Sequence, residues 1–422
     1  MYFLAYLSND LADGLSSNAK LFADDTSLFS VTHDINVSAT VMNNDLAKVN
    51  AWAYQWKMSF NPDPSKQAQE VLFSRKLKKQ SHPSLFFNGN IVSQTSSQKH
   101  LGIILDTRLS FDEHLETVSK KVNKTIGLIR KLHNILPRPT LITIYKAFAR
   151  PHLDYGDIIY DEAYNAAFHQ KLESIQYSAC LAITGAIRGT SREKLYQELG
   201  LESLQLRRWY RKLSYFYKIY KTTKPGYLFN IIPDKNISYV TRNIGSVPMI
   251  KAKHNFFMNS FFPSTIIEWN KLDTCLRNSS SHSIFKKSIL QFIRPIPNSV
   301  FDCHNPQGIK YVTRLRLGLS HLREHKFKHN FQDCLNPLCS CGIDVESTSH
   351  FLLHCPFFSK ERSTLLNTIK NINGQLLDKS DSTLTHILLF GDALMDDATN
   401  KVILNAVTEF ILASKRFEEP LL

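Results

Sequence analysis

The sequence predicts an α+β fold: antiparallel β-hairpins with one helix, then a helical middle, then a mostly helical C-terminal region around a small Cys/His module. Three observations predict it. Short apolar runs separated by turn residues occupy the chain to about residue 110, apolar residues recur at helical spacing from about residue 112, and four of the seven cysteines fall between Cys334 and Cys355.

Residues 2–7, "YFLAYL", read as the end of a buried helix, so the chain opens as though inside a folded element. A loop follows at "SNDLADGLSSN", punctuated by Gly14 and the Ser/Asn cluster. "AKLFA" and "TSLFSV" are two short strands joined hairpin-fashion at Asp24-Asp25, with Leu21, Phe22, Leu28 and Phe29 expected to anchor them. Met42, Leu46, Val49, Ala53 and Trp56 form the stripe of an amphipathic helix. "KMSFNPDPSKQAQEVLFS" reads as strand, turn at Pro62 and Pro64, and strand. After the basic linker "RKLKKQSHP", a β pair surrounds the turn signal Asn88-Gly89, and "HLGIILD" reads as one more strand.

The helical stripes then run in order. Leu115, Val118, Val122, Thr125, Ile126 and Ile129 make the first; Leu141, Ile144, Tyr145 and Phe148 the second; Leu172, Ile175, Gln176, Ala179 and Ile183 the third. "LESLQLRRWYRKLSYFYKIYK" is a fourth helix, aromatic and basic. Prolines and weak periodicity place a boundary near 222–232, and the last helix falls near 400–416.

A net charge of +14 favours polyanions, either nucleic acid or an anionic membrane surface, although a basic protein without special partners has the same balance. No apolar run approaches the roughly 18–20 residues of a membrane span, and "MYFLAYL" lacks the features of a signal peptide. The expectation is an intracellular protein, nuclear or cytoplasmic, that engages no membrane. In a reducing compartment, crowded cysteines point to metal before disulfide.

Asp24 and Asp25 carry the sharpest chemical signal. Adjacent carboxylates on a tight turn repel, and a divalent cation relieves that repulsion. Mg²⁺ takes one or two carboxylates together with substrate phosphates, the arrangement used in phosphoryl displacement. The plain alternative is a solvated Asp-Asp turn. In context, "YLSNDLADGLSSNAKLFADDTSLF" resembles the catalytic hairpin region of reverse transcriptases of non-LTR retrotransposons, most like the jockey group. The segment from Met42 to Ser74 resembles the helix and hairpin that follow in that family, departing from its pattern at Met42-Asn43-Asn44-Asp45-Leu46. "KHLGIILDTRLSFDEHL" resembles the entry to the thumb, and "HFLLHCPFF" the family's Cys/His region.

The resemblance implies a partial palm over 1–110, a helical thumb or connection over 111–222, a linker and helical region over 223–300, and a Cys/His region with terminal helix over 301–422. It assigns Asp24 and Asp25 to a catalytic Mg²⁺ site, with Asp24 the more direct ligand, and sets Lys66 near the primer strand or the hairpin base, where a solvated turn lysine is the alternative. The implied partners are an RNA template, a DNA primer or target, and deoxynucleotide triphosphates. The family's upstream palm aspartate and fingers are not found before these motifs, so the expectation is the C-terminal part of an RNA-directed DNA polymerase, inactive alone. The alternative is a non-catalytic nucleic-acid-binding protein derived from such an element.

Two further sets complete the candidates. Arg207, Arg208, Trp209, Arg211 and Lys212 interleave cations with aromatics, which suits phosphate contact and base stacking, though such spacing also suits a core helix with a solvated face. Cys339, Cys341, His350 and Cys355 offer four N/S donors to Zn²⁺, with Gly342 allowing the turn of a knuckle and Cys334 or His354 as substitutes; buried free cysteines without metal are the alternative. His114, between acidic neighbours, reads as structural.

Overall fold

The computed structural model describes residues 10–23, 25–58, 60, 68–76, 81–161, 166–233, 245–291 and 305–418. The expected helix end at 2–7 and most of the turn around Pro62 and Pro64 lie outside them. The chain divides into two compact units, Met1–Thr117 and Val118–Leu422.

In the first unit, strands β1 (Asn18–Phe22) and β2 (Asp25–Phe29) pair antiparallel, and the register closes Phe22 onto Asp25. Two residues are left for the turn, and the first, Ala23, has φ of 55°. That left-handed conformation is the one primed hairpin turns require. Helix α1 (Ile35–Gln55) starts at Asp34, whose side chain accepts from the Asn36 amide at 2.8 Å. Its buried residues are Ala39, Asp45, Val49 and Ala53.

The remaining strands are short. β3 (Gln69–Glu70) runs parallel to β6 (Ser93–Gln94), whereas β4 (Phe86–Phe87) pairs antiparallel with β5 (Asn90–Ile91). Asn88 and Gly89, with φ of 49° and 76°, form the expected turn. Asn43 holds α1 to this ribbon: its amide donates to the Ser84 carbonyl at 3.2 Å and accepts from the Phe86 N–H at 2.8 Å. A small core of Ala39, Leu85 and Val92 lies beneath, with Met42, Leu46 and Phe87 against it. The single strand expected over "HLGIILD" is instead a hairpin, β7 (Ser97–His100) with β8 (Ile103–Asp106). The reason is backbone geometry, because Leu101 and Gly102 both take positive φ and reverse the chain.

The second unit is helical. Helix α2 (Asp112–Leu132) buries Val118, Val122, Ile126 and Ile129, as its stripe requires. α3 (Arg138–Ile144) passes through a π-helical turn, Tyr145–Ala149, into α4 (Arg150–Asp154). That turn inserts extra chain and moves the inward phase from Phe148, which is exposed, to Ala149, which is buried. α5 (Asp157–Tyr160), α6 (Ala166–Thr184) and α7 (Arg192–Leu199) follow, and the expected stripe of α6 is buried throughout. α8 (Leu204–Thr222) leads through α9 (Gly226–Phe229) and α10 (Asn255–Met258) to α11 (Phe261–Lys271), α12 (Thr274–Arg277) and α13 (His282–Gln291). Phe216, Tyr217, Trp269 and Phe285 pack together in that group, Tyr217 stacked on Phe285 and Trp269 tilted against Phe216.

The C-terminal part contains α14 (Pro306–Arg316), α15 (Arg323–Lys328), α16 (Ser359–Asn373), α17 (Asp381–Phe390) and α18 (Asp397–Ala413) around one apolar cluster. α14 and α18 meet at Gly308, where an added Cβ would lie 1.9 Å from Thr408 Cγ2. A buried ion-pair triad joins this part to the preceding helices: Arg138 and Arg316 donate to the same Glu198 carboxylate oxygen at 3.0 and 3.2 Å. Among the described residues, no helix is long and apolar enough to cross a membrane.

Candidate functional site

Residues 337–346 fold into a miniature hairpin that carries the first two donors of a candidate metal centre. Leu338 and Val345 bridge antiparallel, the Cys339 N–H donates to the Asp344 carbonyl at 2.8 Å, and the Gly342 N–H returns to the Cys339 carbonyl at 3.0 Å. Gly342 has φ of 76°, a conformation open to glycine, and this turn points both sulfurs to one side. The other two donors sit at the ends of a π-helical turn, His350–His354, with Cys355 next in the chain.

The four donor atoms of Cys339, Cys341, His350 and Cys355 all lie within 4.8 Å of one another. The Cys339 and Cys355 sulfurs are 3.7 Å apart, and Cys341 Sγ is 3.3 Å from His350 Nε2. A tetrahedral Zn²⁺ with Zn–S of about 2.3 Å and Zn–N of about 2.0 Å needs S···S edges of about 3.8 Å and somewhat shorter S···N edges. The set therefore fits Zn²⁺ in donor type and spacing. Among the described residues it is the one group of this kind. The substitutes take no part: the Cys334 thiol donates to the Arg323 and Asn336 carbonyls, and His354 pairs with Asp381 at 2.6 Å.

The surroundings favour a thiolate at Cys341. The Ile343 N–H donates to its sulfur and pulls that thiol below its ordinary value, whereas burial pushes Cys339 up to about 12. Burial also lowers His350, which favours the neutral imidazole that a metal needs.

Two arginines that sequence reasoning missed hold the frame. Buried Arg362 donates to the carbonyls of Phe351, Leu352 and Cys355 at the end of the π-helical turn. Arg416 makes a two-pronged pair with Glu346, at 2.7 and 2.8 Å, fixing the knuckle's outgoing strand. Nothing in their local sequence marked either one.

The acidic hairpin is the second candidate. Asp25 is exposed at the closing pair of β1 and β2; Asp24 lies outside the described residues, as does Lys66. The flanking side chains depart from the expected anchoring, since Leu21, Phe22 and Phe29 are exposed on a sheet of two strands. The hairpin is fixed instead from its base. Asp45, fully buried in α1, accepts from the Ser16 N–H at 2.9 Å and the Ser17 N–H at 2.6 Å, and Lys48 adds a contact at 3.4 Å. Burial alone would raise this carboxyl, yet the backbone N–H bonds hold it below its usual value. Its signal was available, because Asp45 is an acid inside an otherwise apolar stripe.

The basic aromatic set is brought together on α8, but facing carboxylates. Arg207 grips Asp154 with two bonds, at 2.8 and 2.6 Å, and Glu202 with a third at 2.6 Å. Arg211 pairs with Asp157 at 2.7 Å. Arg208 and Lys212, both buried, share Asp161, and the Trp209 indole N–H donates to Glu268. A phosphate approaching this set would compete with those acids. His114 is buried and accepts from the Ile104 N–H at 3.4 Å, in keeping with a structural role.

No family model matches the chain, and no solved structure matches it significantly. Curated proteins do. The chain is similar to the RNA-directed DNA polymerase from mobile element jockey of Drosophila melanogaster, 26% identical over 170 residues, which are 39% of this chain and 18% of that protein. It is similar to the probable RNA-directed DNA polymerase from transposon BS, 26% identical over 201 residues, covering 46% of this chain and 21% of the relative. The corresponding protein from transposon X-element is 24% identical over 186 residues, 43% of this chain and 20% of its own length. Both are also from Drosophila melanogaster. The similarity spans about a fifth of the length of these relatives. The expected likeness to jockey-type polymerases is thus found.

Proposed function

We propose that this chain carries the acidic hairpin of an RNA-directed DNA polymerase of the non-LTR retrotransposon type, followed by its thumb and a zinc-bearing C-terminal module. One observation carries the reading: a two-residue turn, with Ala23 held left-handed, presents Asp25 at its exposed rim in a chain similar to curated polymerases of mobile elements.

In this reading Asp24 and Asp25 hold Mg²⁺, a hard cation matched to carboxylate oxygen. Mg²⁺, when bound, supplies neutralisation of triphosphate charge and activation of the primer hydroxyl. The substrates are deoxynucleotide triphosphates, an RNA template and a DNA primer, and Lys66 reaches the primer strand. Residues 1–110 serve as palm, 111–222 as thumb, 223–300 as linker and helical region, and 301–422 as the Cys/His region. Cys339, Cys341, His350 and Cys355 hold structural Zn²⁺, since four protein donors leave no open position. The bound metal would fix the knuckle against the core that contains Phe351 and Leu352.

RNA-templated primer extension tests this, with the chain used alone and grafted into the jockey polymerase in place of its matching hairpin. The graft should extend primer, and Asp24→Ala should cut extension by at least about 100-fold with template binding unchanged. Full extension in the Asp24→Ala graft would refute the assignment. A second reading, a nucleic-acid-binding protein without catalysis, is favoured by the convergence of all four Cys/His donors. It predicts template binding by the chain and no extension in either setting.

A further inference from the structure

The geometry points to His100 as a positioning residue for the acidic turn: it braces strand β2 through Ser27, and the aim of Asp25 depends on that brace. The inference deepens the polymerase reading above and rests on it for the ion that the turn receives.

A hairpin of two strands is marginal in water without further support. β1 and β2 pair only with each other, and Leu21, Phe22 and Phe29 are exposed, so apolar packing does little to hold the ribbon still. Asp45 ties the chain just ahead of β1, at Ser16 and Ser17. The closing pair, Phe22 with Asp25, stands at the far end of β1, about 15 Å from that tie at about 3.4 Å per residue. A tie at the base alone leaves the tip to fray.

His100 supplies the second tie, close to the tip. Its Nδ1 lies 3.4 Å from the Ser27 hydroxyl oxygen, within hydrogen-bonding distance. Ser27 follows Asp25 by two positions on β2, so the two side chains leave the same face of the strand, about 7 Å apart along it. The bond therefore fixes the strand immediately behind the acid, on the side from which the acid projects.

The imidazole is held in place by a turn of its own. His100 closes the β7–β8 hairpin against Ile103, and Leu101 and Gly102, both with positive φ, make the reversal. Opposed residues of an antiparallel pair share a face. His100 thus lies on the same side as buried Ile103, where an apolar side chain would pack equally well. A polar ring in that position calls for a partner, and Ser27 is its one hydrogen-bond partner among the described residues. The tip of one hairpin steadies the strand that carries the acid of the other.

The consequence for binding follows from populations. A site on a fraying turn binds with an affinity reduced by the fraction of time for which the turn is formed. Bracing β2 raises that fraction without His100 touching the ion.

Line broadening at the Ala23 and Asp25 amides, followed as the Mn²⁺ complex of dATP is titrated into the zinc-loaded full chain, tests the inference. His100→Phe keeps the bulk of the ring and removes its hydrogen bond, and Ser27→Ala removes the same bond from the other side. Each should raise the concentration for half-broadening about 3–10-fold, the range that one hydrogen bond supplies. The double variant should be no weaker than either single one, because both lose the same contact. His100→Asn, whose amide takes the place of Nδ1, should bring binding back to within about twofold of wild type. Wild-type affinity in Ser27→Ala, effects that multiply in the double variant, or recovery with Phe but not with Asn would each overturn the role of His100 and leave the polymerase reading standing. Ser27→Ala carries the test by itself if His100→Phe does not fold. A wild-type chain whose turn takes no ion overturns both.

Discussion

At the scale of single residues, Asp45 shows how a site is held by a group that never touches it. Its folded pKa lies below the ordinary carboxylate value because the Ser16 and Ser17 N–H groups favour the anion. A depressed acid stabilises the fold above its unfolded pKa of about 3.9 and loses that contribution as pH falls through the folded value. Asp45→Asn should therefore cost about 1–3 kcal/mol at neutral pH, with the gap to wild type closing as pH falls through the depressed folded value. Urea melts at a series of pH values measure it, and a pH-independent gap would count against the carboxylate. Cys355→Ser belongs to the same scale. It should abolish binding of one zinc per chain and lower the melting temperature by at least about 5 °C, read by metal analysis and calorimetry. Zinc retention by that variant would mean that a donor has been misassigned.

At the scale of elements, what was legible depended on whether local chemistry alone decides the outcome. Asn88-Gly89 supports a primed turn in any context, and the buried stripe of α6 follows directly from 3.6-residue periodicity. The misread elements have different causes. Gly102 was swallowed by the apolar letters of "HLGIILD", and Phe148 was placed inward because periodicity cannot see the π-helical turn that shifts the phase. The four candidate donors were legible from residue type and spacing, while Arg362 and the Glu346–Arg416 pair were not, because their partners lie far along the chain or on backbone carbonyls. The β1–β2 turn gives a further test. Ala23→Val should destabilise the hairpin by about 1–2 kcal/mol because β-branching opposes a left-handed backbone, whereas Ala23→Gly should be neutral or stabilising. Amide hydrogen exchange across β1 and β2 reads the difference, and equal protection in the two variants would argue against a strained turn.

At the scale of the whole molecule, the second unit is knitted by buried charge as well as by apolar contact. Glu198 accepts from both Arg138 and Arg316, so Glu198→Gln should destabilise this unit by about 3–5 kcal/mol by stranding two buried cations. Thermal unfolding checks the loss, and a change below about 1 kcal/mol would show that the triad is dispensable. The excess positive charge acquires a location at this scale too. Where acids face it, as on α8, it holds the fold together; on α2, Lys120, Lys124 and Lys131 are exposed. The proposed function depends on the turn of the acidic hairpin gripping a divalent ion. Paramagnetic relaxation by Mn²⁺, a stand-in for Mg²⁺, measures that most directly on the zinc-loaded chain with a deoxynucleoside triphosphate. The account predicts broadening centred on the amides of Ala23 and Asp25 that disappears in the D24A/D25A variant. Sharp resonances at that turn in millimolar Mn²⁺, or broadening that survives the double substitution, would contradict it.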